Sequence, residues 1–201
     1  MHIELIDLLR CPKDHEETWL VAALSAVQDR FVIKGKLGCP VCGASYSISN
    51  GVADLRILPG DHSVSHTELN SDEAVRVAAL LNLTRPGSVA VLEGDYAGLS
   101  QAVSEMTDCK IIAVNPRKPV EDSESVAIVL CDAKIPLASD SVIGVVCASA
   151  DLIQDVPRIL RNGARALLPV ESVIPAGLVE VTRDDRNILA ESVGAIVELR
   201  R

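Results

Sequence analysis

Five short apolar runs, each of strand length and rich in Val or Ile, constrain this chain more than any other feature. They lie at 88–93 (SVAVLE), 110–115 (KIIAVN), 125–130 (SVAIVL), 142–148 (VIGVVCA) and 164–170 (ARALLPV). A strand with one wet face alternates apolar and polar residues. These runs do not alternate, so each reads as buried on both faces, as in a parallel sheet covered by helices. The intervals hold helices at 99–106 and 152–160, the second with Pro157 in its first turn or at a kink. Upstream, EAVRVAALLNL carries apolar residues at helical spacing, with Asp72 and Glu73 suited to a first turn, and predicts a helix from Ser71 to about Leu81. Near the end, GLVEVTR and AIVELR, separated by RDDRNILAES, read as an antiparallel hairpin closing the sheet edge. The expectation is an α/β protein with a Rossmann-like, mostly parallel sheet and no internal repeat.

The first third has a different character. It is polar and turn-rich and holds Cys11, Cys39 and Cys42, whereas Cys109, Cys131 and Cys147 lie at or inside the β-branched runs and read as buried small apolar residues. Between the two regions, LPGDHSVSHTELNSDE combines Pro59, Gly60, serines and charges as a linker does. His62 and His66 within it read as solvated. The expected organisation is a small domain at 1–58, a linker at 59–70 and an α/β domain at 71–201.

Charge and ring content narrow the function. Lys and Arg number 19 against 28 Asp and Glu, a formal net charge of -9, and most of the excess acid lies beyond residue 58. That balance excludes a general phosphate-backbone binder. Aromatic residues make up 2% of the 201 residues, namely Trp19, Phe31, Tyr46 and Tyr96, which leaves little to stack on a base. No run approaches the roughly 18–20 apolar residues of a membrane span. MHIELIDLLRCP lacks a basic cap followed by a continuous apolar stretch. The chain is therefore expected in the cytoplasm with its cysteines reduced.

Cys39-Pro40-Val41-Cys42-Gly43 has the spacing of a metal knuckle, in which two thiolates two residues apart supply half a tetrahedral site. The other half would come from Cys11 and a neighbour in CPKDH, either His15 or Asp14. Cys11, His15, Cys39 and Cys42 would form a closed structural zinc site whose role is folding rather than chemistry.

The N-terminal third resembles the small zinc-ribbon proteins that bind and activate methyltransferase subunits. The resemblance rests on LIDLLRCP, the knuckle LGCPVCGASYSI and the following NGVADLRIL, with Ser47 and Ala53 where that family has prolines. Residues 71–201 resemble a class I S-adenosylmethionine-dependent methyltransferase domain, on VAVLEGDYAGLS, KIIAVN, CDAKIPLASDSVIGVV and DVPRILRNGARALLPV, the last keeping Arg158, Leu160, Arg161 and Gly163. The resemblance implies S-adenosylmethionine contacts at Glu93, which ends the first strand, at Gly94 and Gly98 in the turn, at Asn115 beside the ribose, and at Asp132 beside the adenine. Departures fall on the same stretch. Asp95 and Ala97 stand where glycines are usual, Asn115 replaces a carboxylate, and no Asn-Pro-Pro-Tyr-like catalytic loop is present. No catalytic residue is assigned. The expected role is a noncatalytic interaction or scaffold subunit with protein partners in a larger assembly. The alternative is an active methyltransferase acting on a small molecule or protein.

Overall fold

A computed structural model describes residues 1–57 and 69–194. A one-turn helix α1 (Ile3–Ile6) precedes four antiparallel strands, β1 (Val21–Gln28), β2 (Phe31–Gly38), β3 (Ser45–Ser49) and β4 (Val52–Asp54). Then come α2 (Ser71–Leu80), β5 (Val89–Glu93), a 3₁₀ turn at Gly94–Leu99 that runs into α3 (Ser100–Thr107), β6 (Lys110–Val114), β7 (Val126–Leu130) and β8 (Val142–Val146). Two short helices, α4 (Ala150–Ile153) and α5 (Val156–Ile159), lead to β9 (Leu160–Pro169) and the hairpin β10 (Leu178–Arg183) and β11 (Asn187–Ser192).

The described strands form one sheet in the order β1-β2-β3-β4-β7-β6-β5-β8-β9-β11-β10. Its centre, from β4 through β9, is parallel, which gives the expected Rossmann-like arrangement. The apolar runs work as their composition requires, with alternate residues sent to opposite faces. In β5, Val89 and Val91 join the core beneath α1, α4 and α5, while Ala90 and Leu92 join the core beneath α2 and α3. Burial on both faces is why no polar residue interrupts them.

The helix read from Ser71 is α2, and its N-cap is Asn70, whose Oδ1 accepts from the Glu73 amide at 3.1 Å. The region at 152–160 divides into α4 and α5, with Pro157 in the first turn of α5. The terminal hairpin is present, but its second strand is Asn187–Ser192, inside the stretch read as the connection. NILAES is the segment that pairs with β9 and buries Ile188 and Ala190. AIVELR lies outside the described residues, as do His62, His66 and most of the linker.

The N-terminal third does not stand apart from the sheet. β4 pairs in parallel with β7, matching Val52 with Ile128 and Asp54 with Leu130, and Leu37, Ile48 and Leu55 share one core with Ile112, Val129 and Leu137. At the other side of the centre, Gly144 allows the chain leaving α2 to close on β8, because a Cβ there would meet the side chains of Leu83 at 3.0 Å and Leu81 at 3.1 Å.

Candidate metal centre and cofactor edge

Two places gather the candidate functional residues. The first lies where the segment after α1 meets the turn between β2 and β3. Cys11, His15, Cys39 and Cys42 each offer one ligand atom, and all four atoms lie within 4.8 Å of one another. This cluster can hold a metal ion, and the histidine rather than Asp14 completes it. Cys11 Sγ is 3.8 Å from Cys42 Sγ, and Cys39 Sγ is 3.4 Å from His15 Nε2.

The local fold prepares these groups. His15 Nδ1 lies 2.6 Å from the Glu16 carbonyl; a carbonyl only accepts, so Nδ1 carries the proton and Nε2 is left as the acceptor facing the thiols. The amide of Cys42 points at Cys39 Sγ at 3.5 Å. Burial pushes the Cys39 thiol up, but the amides of Cys42 and Val41 outweigh it and bring the thiol down to about 7. Burial pushes the Cys11 thiol up, partly offset by the Tyr46 hydroxyl 3.2 Å away. Tyr46 was not among the expected site residues; its place four residues after Cys42 was the available signal.

The second place is the carboxyl edge of the parallel strands. Among β7-β6-β5-β8-β9 the chain direction of progression reverses between β5 and β8, and open α/β sheets place ligands in the crevice outside such a switch point. Here Glu93, 1% exposed at the end of β5, reaches across that crevice. Its Oε2 accepts from the amides of Ala148 (2.8 Å) and Ser149 (3.1 Å), and its Oε1 accepts from the Ser149 hydroxyl at 2.6 Å. The carboxylate thus staples β5 to the loop after β8.

The other cofactor candidates are also engaged within the protein. Asn115, buried and at φ +46°, donates from Nδ2 to the Cys131 carbonyl at 3.0 Å and accepts on Oδ1 from the Cys131 amide at 2.9 Å. Both ends of its amide join β6 to β7. Gly94 has φ +66°, and Arg117 Nε lies 3.7 Å from where a Cβ on it would stand. Arg117 pairs with Asp95 at 3.4 Å, so an ion pair lies over the turn. Gly98 has nothing within 4 Å of a notional Cβ and sits in the 3₁₀ turn rather than in an open loop. Asp132 is exposed and accepts from the Ile57 amide at 2.6 Å, tying the end of the N-terminal segment to this edge. Cys131 and Cys147 are buried beside this edge, and burial pushes both thiols well up, so they are inert packing groups as expected. Ser149 and Arg117, which do much to define the edge, carry no sequence motif and were not anticipated.

No known family profile matches the chain, and no curated protein does. Solved structures overlap with about half of it. A methyltransferase from an antibiotic biosynthesis pathway of Anabaena variabilis, itself described as putative, shares 24% identity and a TM-score of 0.42, over 49% of this chain and 44% of that one. Geranyl diphosphate C-methyltransferase from Streptomyces coelicolor, solved with Mg2+, geranyl diphosphate and S-adenosyl-L-homocysteine, gives 16%, 0.40, 49% and 43%. The [4+2]-cyclase SpnF gives 15%, 0.41, 49% and 44%. The chain thus spans less than half the length of each of these proteins. Overlaps of this quality carry no functional weight, and the fold is read from the strand order itself. Among the described residues no helix is long and apolar enough to cross a membrane.

Proposed function

We propose that this protein is a noncatalytic interaction or scaffold subunit, built on a methyltransferase-like sheet and held at its N-terminal end by a structural zinc ion. The observation that carries the reading is the Glu93 staple. A carboxylate with three internal donors, placed across the switch point, is a structural element of the fold, and Asn115 and the Asp95–Arg117 pair are committed in the same way. These residues suit S-adenosylmethionine poorly: both ends of the Asn115 amide are already bonded to Cys131, Asn115 lacks the charge of a carboxylate beside a ribose, and the Asp95 carboxylate would repel the carboxylate of a cofactor bound at this turn. Calorimetry with S-adenosylmethionine at high protein concentration is expected to give no heat of binding. Micromolar binding that is removed by Asp132→Ala would sink the proposal.

Zinc suits the N-terminal cluster on donor chemistry and spacing. Tetrahedral coordination with Zn–S bonds of ~2.3 Å sets two sulfurs about 3.8 Å apart, and Cys11 and Cys42 have that separation. Bound there, zinc would cross-link α1's trailing segment to the β2–β3 turn. Elemental analysis should find one zinc per chain, lost in Cys42→Ser. A metal-free, fully folded preparation would refute the assignment.

A second reading, an active methyltransferase on a small molecule or protein, is favoured by one observation. An open cleft of about 400 Å³ lies beyond the staple, lined by Ala148, Ile153, Gln154, Pro169 and Glu171 at the carboxyl ends of β8 and β9. Co-purification of S-adenosylmethionine under native conditions would favour this reading over the scaffold.

A further inference from the structure

Among the described residues, nine of the eleven arginines form an ion pair with a carboxylate. The two that do not, Arg85 and Arg161, line the same cleft. In a chain with a formal net charge of -9, unpaired guanidinium groups would be expected to scatter or to find one of the many acids. Their convergence is the unusual fact. The cleft lies at the amino ends of the parallel strands, opposite the edge that carries Glu93.

Two elements build it. The chain leaving α2 supplies Asn82, Thr84 and Arg85. Facing it, β9 leaves the regular ladder: β8 partners pass from Val142↔Leu160 to Gly144↔Arg165, so residues 161–164 loop out and carry Arg161 and Asn162 to the rim. Such excursions re-aim side chains. Arg165 forms a third wall. Among the described residues no Asp or Glu lines the cleft. Glu191 lies 3.5 Å from Arg165, the Leu80 carbonyl at the end of α2 accepts from Arg165 at 3.2 Å, and the Asp140 carbonyl accepts from Arg161 Nε at 3.2 Å. Asn162 Oδ1 accepts from the Gly194 amide, which leaves its NH2 as the end able to meet a ligand. The volume is about 160 Å³, below the range of sites for drug-sized molecules, roughly 300–1,000 Å³, and suited to a small anion.

We propose that this cleft binds a phosphate-type oxyanion, held by the forked guanidinium groups of Arg85 and Arg161 with Asn82, Thr84 and Asn162 as further donors. Free phosphate and the phosphate of a small monoester share this chemistry. The inference does not depend on the scaffold reading or on the metal.

Thermal unfolding of the full chain in increasing inorganic phosphate, against sodium chloride at matched ionic strength, tests it. The expected result is a saturable rise in melting temperature that chloride does not reproduce. Arg85→Gln and Arg161→Gln should each weaken phosphate binding by about tenfold or more. Arg85 makes no side-chain hydrogen bond among the described residues, so its variant should melt normally without phosphate and keeps the test valid if Arg161→Gln misfolds. Glycerol 3-phosphate binding at least as tightly as phosphate identifies an esterified ligand, and weaker binding identifies the free anion. A shift equal to that in chloride, or a phosphate shift unchanged in Arg85→Gln, would overturn the proposal.

Discussion

Single side chains decide how the carboxyl edge can be used. Glu93 and Asn115 stand at positions that the family resemblance gives to a cofactor, yet each is bonded within the protein, Glu93 to the Ala148 and Ser149 amides and the Ser149 hydroxyl, Asn115 to the Cys131 amide and carbonyl. Removing such a partner leaves buried donors unmet, a cost of about 1–3 kcal/mol per group. Glu93→Ala should therefore lower stability by about 2–4 kcal/mol in urea unfolding followed by circular dichroism; a change below measurement error would mean that water replaces the carboxylate easily. Asn115→Asp restores the usual family carboxylate but sets it against the Cys131 carbonyl in place of a donor. The expected outcome is a loss of roughly 1–3 kcal/mol with no gain of S-adenosylmethionine binding by calorimetry. At this scale the sequence was informative about position and silent about partner. Glu93 was identifiable as the last residue of an apolar run, but nothing in the residues near it signals that Ser149, far along the chain, would meet it.

At the scale of elements, the contacts that matter join segments distant in sequence. Arg158 on α5 donates to Asp155, to the Leu137 carbonyl at 2.7 Å and to the Ile135 carbonyl at 2.6 Å. It fixes the segment between β7 and β8 against the helix. Arg158→Lys keeps the charge but loses the fork, so a destabilisation of about 1–3 kcal/mol is expected in thermal unfolding; an unchanged melting temperature would show that one ammonium suffices. Glu17 does similar work between the N-terminal segment and the sheet, accepting from the amide and hydroxyl of Ser139 and lying near Arg158 and Arg10. Burial raises its carboxyl, but Ser139 and the two arginines outweigh that and hold it below the usual range. With the folded value depressed, its stabilisation is fully present above the unfolded value, about 4.3, and is lost as pH falls through the folded value. Glu17→Gln should therefore lower stability at neutral pH and flatten the decline below about pH 4.5, as read from pH-dependent urea midpoints. An unaltered acid limb would discount the contact. Strand and helix positions were largely legible, because burial on both faces leaves a continuous apolar signature. The second hairpin strand was not, because NILAES mixes polar and apolar residues like a connection and becomes a strand only by pairing with β9.

For the molecule as a whole, the consequential feature is continuity. β4 extends the parallel sheet at β7, and one core runs from Leu37 and Ile48 to Val129 and Leu137. Metal binding at Cys11, His15, Cys39 and Cys42 would then be coupled to the stability of the whole sheet. Chelation under reducing conditions should lower the single melting transition of the full chain, measured by calorimetry, rather than remove a separate early one. Two resolved transitions, only the first sensitive to chelator, would show that the parts unfold independently. The sequence by itself determined the fold class, because uninterrupted Val and Ile runs have few places to go other than the interior of a covered sheet. It also determined the candidate metal ligands, since knuckle spacing is a local property of the backbone. Only the tertiary structure decided that His15 rather than Asp14 faces the thiols, that Glu93 bonds to the loop after β8, and that Arg85 and Arg161 line one cleft. Each of these depends on where distant segments come to rest, and hydrogen bonds and charge pairing act over a few ångströms of space regardless of separation along the chain.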